Sequence, residues 1–220
     1  VVGAVDLGPY ALAFEATNEP GKEKKSAKAL LKKDPFNVDL YMGYSFLEHE
    51  RGNKAAARNV LSAALSLPSI VAHDRTRLGI GTAWLELLDG ELTKAVLQLC
   101  RLAEDVPNSG NPQMLEITGA TPSQILKARQ FLVSSRDYNI STGDIAHAVV
   151  YAEGLVLLEY LTRRSEKEPS SERQGDIWSA IVSITQCSED LVSRRQQHNP
   201  SHEKFLQFAA RLLYYHASHG

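Results

Sequence analysis

Four groups of side chains in this 220-residue chain have the type or spacing for chemistry. His198 and His202 stand four apart, as paired imidazoles do in zinc sites. Asn199-Pro200 breaks the helix between them, and no cysteine or third histidine nearby completes a ligand set. His216 and His219 read as surface residues. Cys100 and Cys187 are the only two cysteines and lie in apolar, helix-like surroundings. They read as reduced packing residues, which favours an intracellular compartment. Asp74, Asp89, His73 and His147 are scattered, with no nucleophile motif, phosphate-binding glycine loop or carboxylate pair around them. The expectation is no enzyme, no metal and no cofactor.

The fourth group is basic. Lys22, Lys24, Lys25, Lys28, Lys32 and Lys33 fall along one predicted helix, and Arg194-Arg195 close another. Such a row could contact phosphates, with Lys22, Lys25, Lys28 and Lys32 as candidate RNA or anion contacts. Glu19, Glu23 and Asp34 dilute it, and no aromatic residue interleaves within the segment to stack on bases. A solvated face is the plainer reading and RNA contact the secondary one. A formal charge of −2 and a pI of about 6.4 argue against a surface dominated by nucleic acid, while leaving room for a local stripe.

The elements that position these groups are helices. From Asp39 to Pro68 the chain reads as one helix-turn-helix unit: Tyr41, Tyr44 and Glu48 share a helical face, and Gly52-Asn53 reverses the chain. Ala57, Val60, Leu61, Ala64 and Leu65 then form one stripe, and Pro68 stops the second helix. An apolar-Glu pair marks the end of the first helix of each unit at Phe14-Glu15, Leu47-Glu48, Leu85-Glu86 and Leu158-Glu159. Glu15 and Glu48 are 33 apart, as are Pro35 and Pro68. An offset of 38 superposes Glu48 on Glu86, Phe46 on Trp84, Gly52 on Gly90, Ala57 on Ala95 and Leu61 on Leu99. Leu115-Glu116 is a candidate remnant of a degenerate unit.

Along the chain, helices are expected at about 9–19, 22–33, 37–51, 53–66, 71–89 and 91–104. Pro20-Gly21 forms the first turn. An inserted loop follows at 105–120. A Thr121-Pro122-Ser123-Gln124 capping box starts a helix that ends before Asn139. A helix at about 144–164 is apolar on most sides and is the candidate central core helix. Its longest apolar run contains His147, Glu153 and Glu159, which reads as a buried helix and not a membrane span. Residues 165–175 read as a flexible loop before helices at about 176–197 and 201–217. On the last, Phe205, Phe208, Leu212 and Tyr215 form a stripe that is either an exposed seam for self-association or packed against a further repeat. The predicted fold is all-α, with antiparallel helix pairs stacked as a solenoid in a single domain, 1–220. Residues 1–104 would be regular repeats and 121–220 degenerate ones. The chain starts at Val1 without Met and reads as a fragment.

An aromatic-x-x-aromatic-x-x-apolar-Glu segment, then Gly-Asn, Ala-Arg-x-apolar and a closing Pro, resembles the half-a-tetratricopeptide (HAT) repeat of RNA-processing proteins. Tyr41, Tyr44, Glu48, Arg58 and Pro68 occupy its signature places, Tyr41 where the motif usually has Trp. The third unit departs from it, with Gly79 and Thr82 in the aromatic places and Val96 in the Arg place. In such repeats Glu48 and Arg58 would hold the two helices of a unit together. The order of AKALLKKDPFNVDLY, TPSQILKARQFL and FLQFAARLLYYHA is similar to the nuclear-RNAi-defective family of nuclear exosome regulators. That resemblance implies a nuclear, non-enzymatic scaffold acting in RNA surveillance, splicing and RNA interference through protein contacts. Its partners would be a splicing-associated protein and, in the full-length protein, the exosome-associated RNA helicase, with no membrane. The alternatives are a HAT subunit of a splicing or 3′-end-processing complex, and a direct RNA-binding module using the lysine helix.

Overall fold

The computed structural model describes residues 7–19, 21–68, 70–104, 119–162 and 175–219, and among these all regular structure is α-helix. Ten helices are described: α1 Gly8–Asn18, α2 Glu23–Lys33, α3 Val38–Glu50, α4 Lys54–Leu65, α5 Ala72–Leu88, α6 Leu92–Arg101, α7 Pro122–Thr142, α8 Ile145–Thr162, α9 Ile177–Ser193 and α10 Pro200–His219. Pro20, Leu115-Glu116, and nearly all of the predicted loops at 105–120 and 165–175 lie outside the described residues. The chain gathers into two compact units, Val1–Leu85 and Glu86–Gly220.

One local device ends the first helix of four successive pairs. At Gly52 the backbone turns left-handed (φ 80°), its N–H donates to His49 O at 2.8 Å, and Asn53 N–H donates to Glu48 O at 2.9 Å. The same two-bond closure recurs at Gly90, with Glu91 N–H on Glu86 O at 2.8 Å, and at Gly143, with Asp144 N–H on Asn139 O at 2.9 Å. It recurs again at Arg195, with Gln196 N–H on Leu191 O at 2.9 Å. Glycine favours this conformation because it has no Cβ to clash, and the closure satisfies carbonyls that the helix leaves open. Arg195 (φ 60°) adopts it without that relief.

Unit 1 packs α1, α2 and α3 on one another, with α4 on α3. Leu12, Ala27, Leu40 and Tyr44 form its buried cluster, flanked by Leu30, Leu31, Leu47 and Val60. Small residues set the spacing. A methyl group added at Gly8 would stand 2.5 Å from Leu40 Cδ2, and one at Gly81 would stand 2.5 Å from Met42 Sδ. Gly81 in the middle of α5 therefore lets that helix approach α3 closely, where a bulky side chain would hold it off. Arg77 on α5 also forms an ion pair with Asp39 on α3.

In unit 2, α8 is the central helix, in contact with α6, α7, α9 and α10, as its all-round apolar sequence predicts. It is long and apolar enough to cross a membrane, yet 72% of it is buried. Thr121 and Gln124 form the predicted capping box at the start of α7. That helix runs to Thr142 and not, as the sequence suggested, only to a point before Asn139. Asn139 donates from its side chain to Ser135 O at 2.7 Å and stays helical, so Gly143 supplies the break. Asp176 caps α9 through Trp178 N–H at 3.0 Å, and Asn199 caps α10 through Ser201 N–H at 2.9 Å.

Candidate functional site: buried glutamates and an exposed basic face

Of the residues expected to form a repeat signature, Glu48 lies at the α3/α4 turn, Tyr41 near the start of α3 and Pro68 beyond the end of α4. Glu48, 4% exposed, accepts from Asn53 Nδ2 at 2.9 Å and from the Tyr44 hydroxyl. Burial first, then the bond to Glu48 and its charge, push the Tyr44 phenol up to about 12. One buried carboxylate thus ties the first helix to the turn through the residue that follows Gly52. Ser45 Oγ donates to Ala57 O at 2.8 Å and fastens α3 to α4 on the same side. Arg58 and Tyr41 are half-buried, and Pro68 is exposed in the turn beyond α4.

Three of the four marker glutamates are buried. Glu48, Glu86 and Glu159 are the buried acids among the described residues, and Glu15 is half-buried. Glu48 and Glu86 occupy equivalent places, the backbone carbonyl of each accepting a bond of the left-handed closure of its helix. Glu159 does not. It lies in α8, the helix that follows the Gly143 turn, and its carboxylate pairs with Arg129 Nε of α7 at 2.7 Å. The equivalent of Glu48 in that pair is Asn139. The spacing from Gly90 to Gly143 is 53 residues against 38 from Gly52 to Gly90, so a count of two regular periods from Glu86 to Glu159 does not keep register with the turns.

The remaining candidates have structural partners. His202 is buried, with Nε2 2.9 Å from Ser188 Oγ and Nδ1 3.4 Å from Gln197 O, while His198 is exposed. His216, half-buried where a surface residue was expected, sits 3.1 Å from the Tyr160 hydroxyl. His219 stacks on Tyr215 at 4.4 Å between ring centroids. Among the described residues no three His, Cys, Asp or Glu side chains gather as a metal site would require. Cys100 and Cys187 are free and buried, and burial pushes both thiols up to about 11.

The stripe on α10 is buried within unit 2: Phe205, Phe208, Leu212 and Tyr215 face inward, so it is not an exposed seam. Tyr215 donates to Leu87 O at 2.9 Å, joining α10 to the α5/α6 turn. An open recess of about 670 Å³ lies along α7 and is lined by Lys127, Arg129, Gln130, Phe131, Ser134 and Asp137, a mixture with no convergent chemistry.

The lysines lie on the open side of α2. Lys22, Lys24, Lys25, Lys28, Lys32 and Lys33 are all exposed, whereas Ala27 is buried and Leu30 and Leu31 pack against the core. Lys22 pairs with Glu19. No aromatic residue interleaves with these lysines along the sequence, and exposed rings stand on neighbouring elements: Tyr10 and Phe14 on α1 are 74% and 69% exposed, and Phe36, just past α2, is 54% exposed.

No family model, curated protein or solved structure matches this chain.

Proposed function

We propose that this chain is a non-enzymatic protein-interaction scaffold whose helix pairs are HAT-like repeats, stacked in the manner of a solenoid. The observation that carries the reading is the repeated turn. A buried glutamate precedes a left-handed glycine at Glu48/Gly52 and again at Glu86/Gly90, with Ala57 and Leu61 matched by Ala95 and Leu99, all fully buried. Polar groups spent on holding helix ends, as these are, leave the outward faces of the repeats to recognise a partner. The similarity of its segments to the nuclear-RNAi-defective family supports a nuclear setting in RNA surveillance and splicing. The partner would be a protein of that machinery.

The test is a pull-down from nuclear extract with the 220-residue chain as bait, treated with nuclease and read by mass spectrometry. Recovery of splicing-associated or exosome-associated proteins after nuclease is the expected result. Enrichment that vanishes with the nucleic acid would count against a protein scaffold.

A further inference from the structure

We infer that the exposed side of the α1/α2 pair binds single-stranded nucleic acid, with lysines of α2 on the phosphates and aromatic rings of α1 stacked on the bases. This goes beyond the scaffold reading and does not depend on it.

Three features of unit 1 meet here. First, α2 is divided lengthwise. Ala27, Leu30 and Leu31 turn toward the core, and the rest of the helix carries five exposed lysines, with exposed Lys22 at its N-cap. Lys24, Lys28 and Lys32 succeed one another at intervals of four residues, a rise of about 6 Å per step. Second, α1 packs on α2 and is divided in the same way. It buries Gly8 and Leu12 and sends Tyr10 and Phe14 into solvent, also four residues apart, so rings and ammonium groups repeat at one interval on adjacent helices. Third, two of the described acids nearby are engaged, Glu19 with Lys22 and Asp34 with Asn37 Nδ2 at 3.2 Å, and Glu15 beside Phe14 is half-buried.

This chemistry favours nucleic acid over an acidic protein segment. A protein helix docks by seating apolar anchors in a groove. Tyr10 and Phe14 instead project from the convex surface of a helix, and the recess described above lies on α7. An exposed flat ring beside a cation row is a stacking platform, which serves unpaired bases of any sequence. Bases in a duplex are already stacked and offer no free face.

The experiment is fluorescence anisotropy of a labelled oligouridine with the full chain at about 50 and about 200 mM salt, where counterion release separates charge from stacking. Replacing Tyr10 and Phe14 together by alanine should weaken binding about tenfold or more and leave the salt dependence in place. Replacing Lys24, Lys28 and Lys32 by glutamine should reduce the slope of log affinity against log salt by about 2. All five side chains are exposed, so circular dichroism should be unchanged. Absence of binding at the lower salt would overturn the proposal. So would equal affinity for an RNA duplex, full affinity in the aromatic double variant, or displacement by polyglutamate of matched charge, the last pointing to an acidic protein.

Discussion

In unit 1 the helices come together where side chains are absent, Gly8 against Leu40, Gly43 against Pro9 and Gly81 against Met42. In unit 2 they come together around a helix that is nearly all side chain, with Ala148, Leu155, Val156, Leu157, Leu158 and Tyr160 of α8 enclosed by α6, α7, α9 and α10. One ion pair between helices in each unit differs in the same sense: Arg77–Asp39 in unit 1 leaves Asp39 mostly in solvent, whereas Arg129–Glu159 in unit 2 sinks the Glu159 carboxylate. Both units nonetheless use the same glycine closure. Repeated turns can therefore be joined by two kinds of interface, one limited by volume and one driven by apolar burial. The first should be sensitive to added atoms and the second to removed ones.

The chain carries probes for both. Trp84 is buried in unit 1, Trp178 is exposed in unit 2, and both cysteines are buried in unit 2. In a Trp178→Phe background, tryptophan fluorescence reports unit 1 and thiol labelling reports unit 2. The largest effect is expected from Leu158→Ala, which should cost about 3–4 kcal/mol through lost burial and a residual cavity. Thiols should label at lower denaturant, with a smaller change in Trp84 fluorescence. Equal shifts in both signals would mean that the two units unfold as one.

Gly81→Val should cost about 1–3 kcal/mol by overpacking. It should move the Trp84 midpoint and leave the thiol midpoint nearly in place. Smaller again are the closures. Gly52→Ala and Gly90→Ala should each cost about 1 kcal/mol because alanine resists the left-handed conformation, with Gly52 read by Trp84 and Gly90 by the thiols. Arg195→Gly should have the opposite sign and stabilise unit 2 by no more than about 1 kcal/mol, since relief of strain is offset by glycine's larger unfolded-state entropy.

A pH titration sharpens the same contrast. Tyr44 in unit 1 and Tyr160 in unit 2 are both pushed up to about 12 from 10.0, mainly by burial. The folded state holds these protons more tightly, so their contribution is complete below about pH 10 and is lost as pH rises toward about 12. Phenolate absorbance should show delayed ionisation, and Tyr44→Phe should remove the unit 1 share of the alkaline destabilisation.

Much of the fold was legible because its punctuation is local. Gly52, Gly90 and the Thr121/Gln124 box act within five residues of themselves, and α8 declares its central place by being apolar on every side. What the sequence hid depends on distant partners. The α10 stripe could be exposed or covered until its packing within unit 2 was known. Arg129 carried no signal that it would meet Glu159, thirty residues away. The longer interval from Gly90 to Gly143 put Asn139, not a glutamate, at the marker's place, so Leu158-Glu159 fell in the following helix. For the basic face, the lysines were legible in one segment, whereas the exposure of Tyr10 and Phe14 on the helix packed against it was not.

The bond from Tyr215 to Leu87 O has a consequence for the order of events during synthesis. It joins residues 128 positions apart, so unit 2 cannot close until its last helix has been made. The contacts of α1 to α4 span short stretches and can form while later residues are still being added, since local contacts form fast and amino-terminal elements emerge first. Until α10 arrives, α8 lacks one of its four neighbours, and the nascent chain carries a largely apolar helix with an open side that a chaperone would have reason to hold.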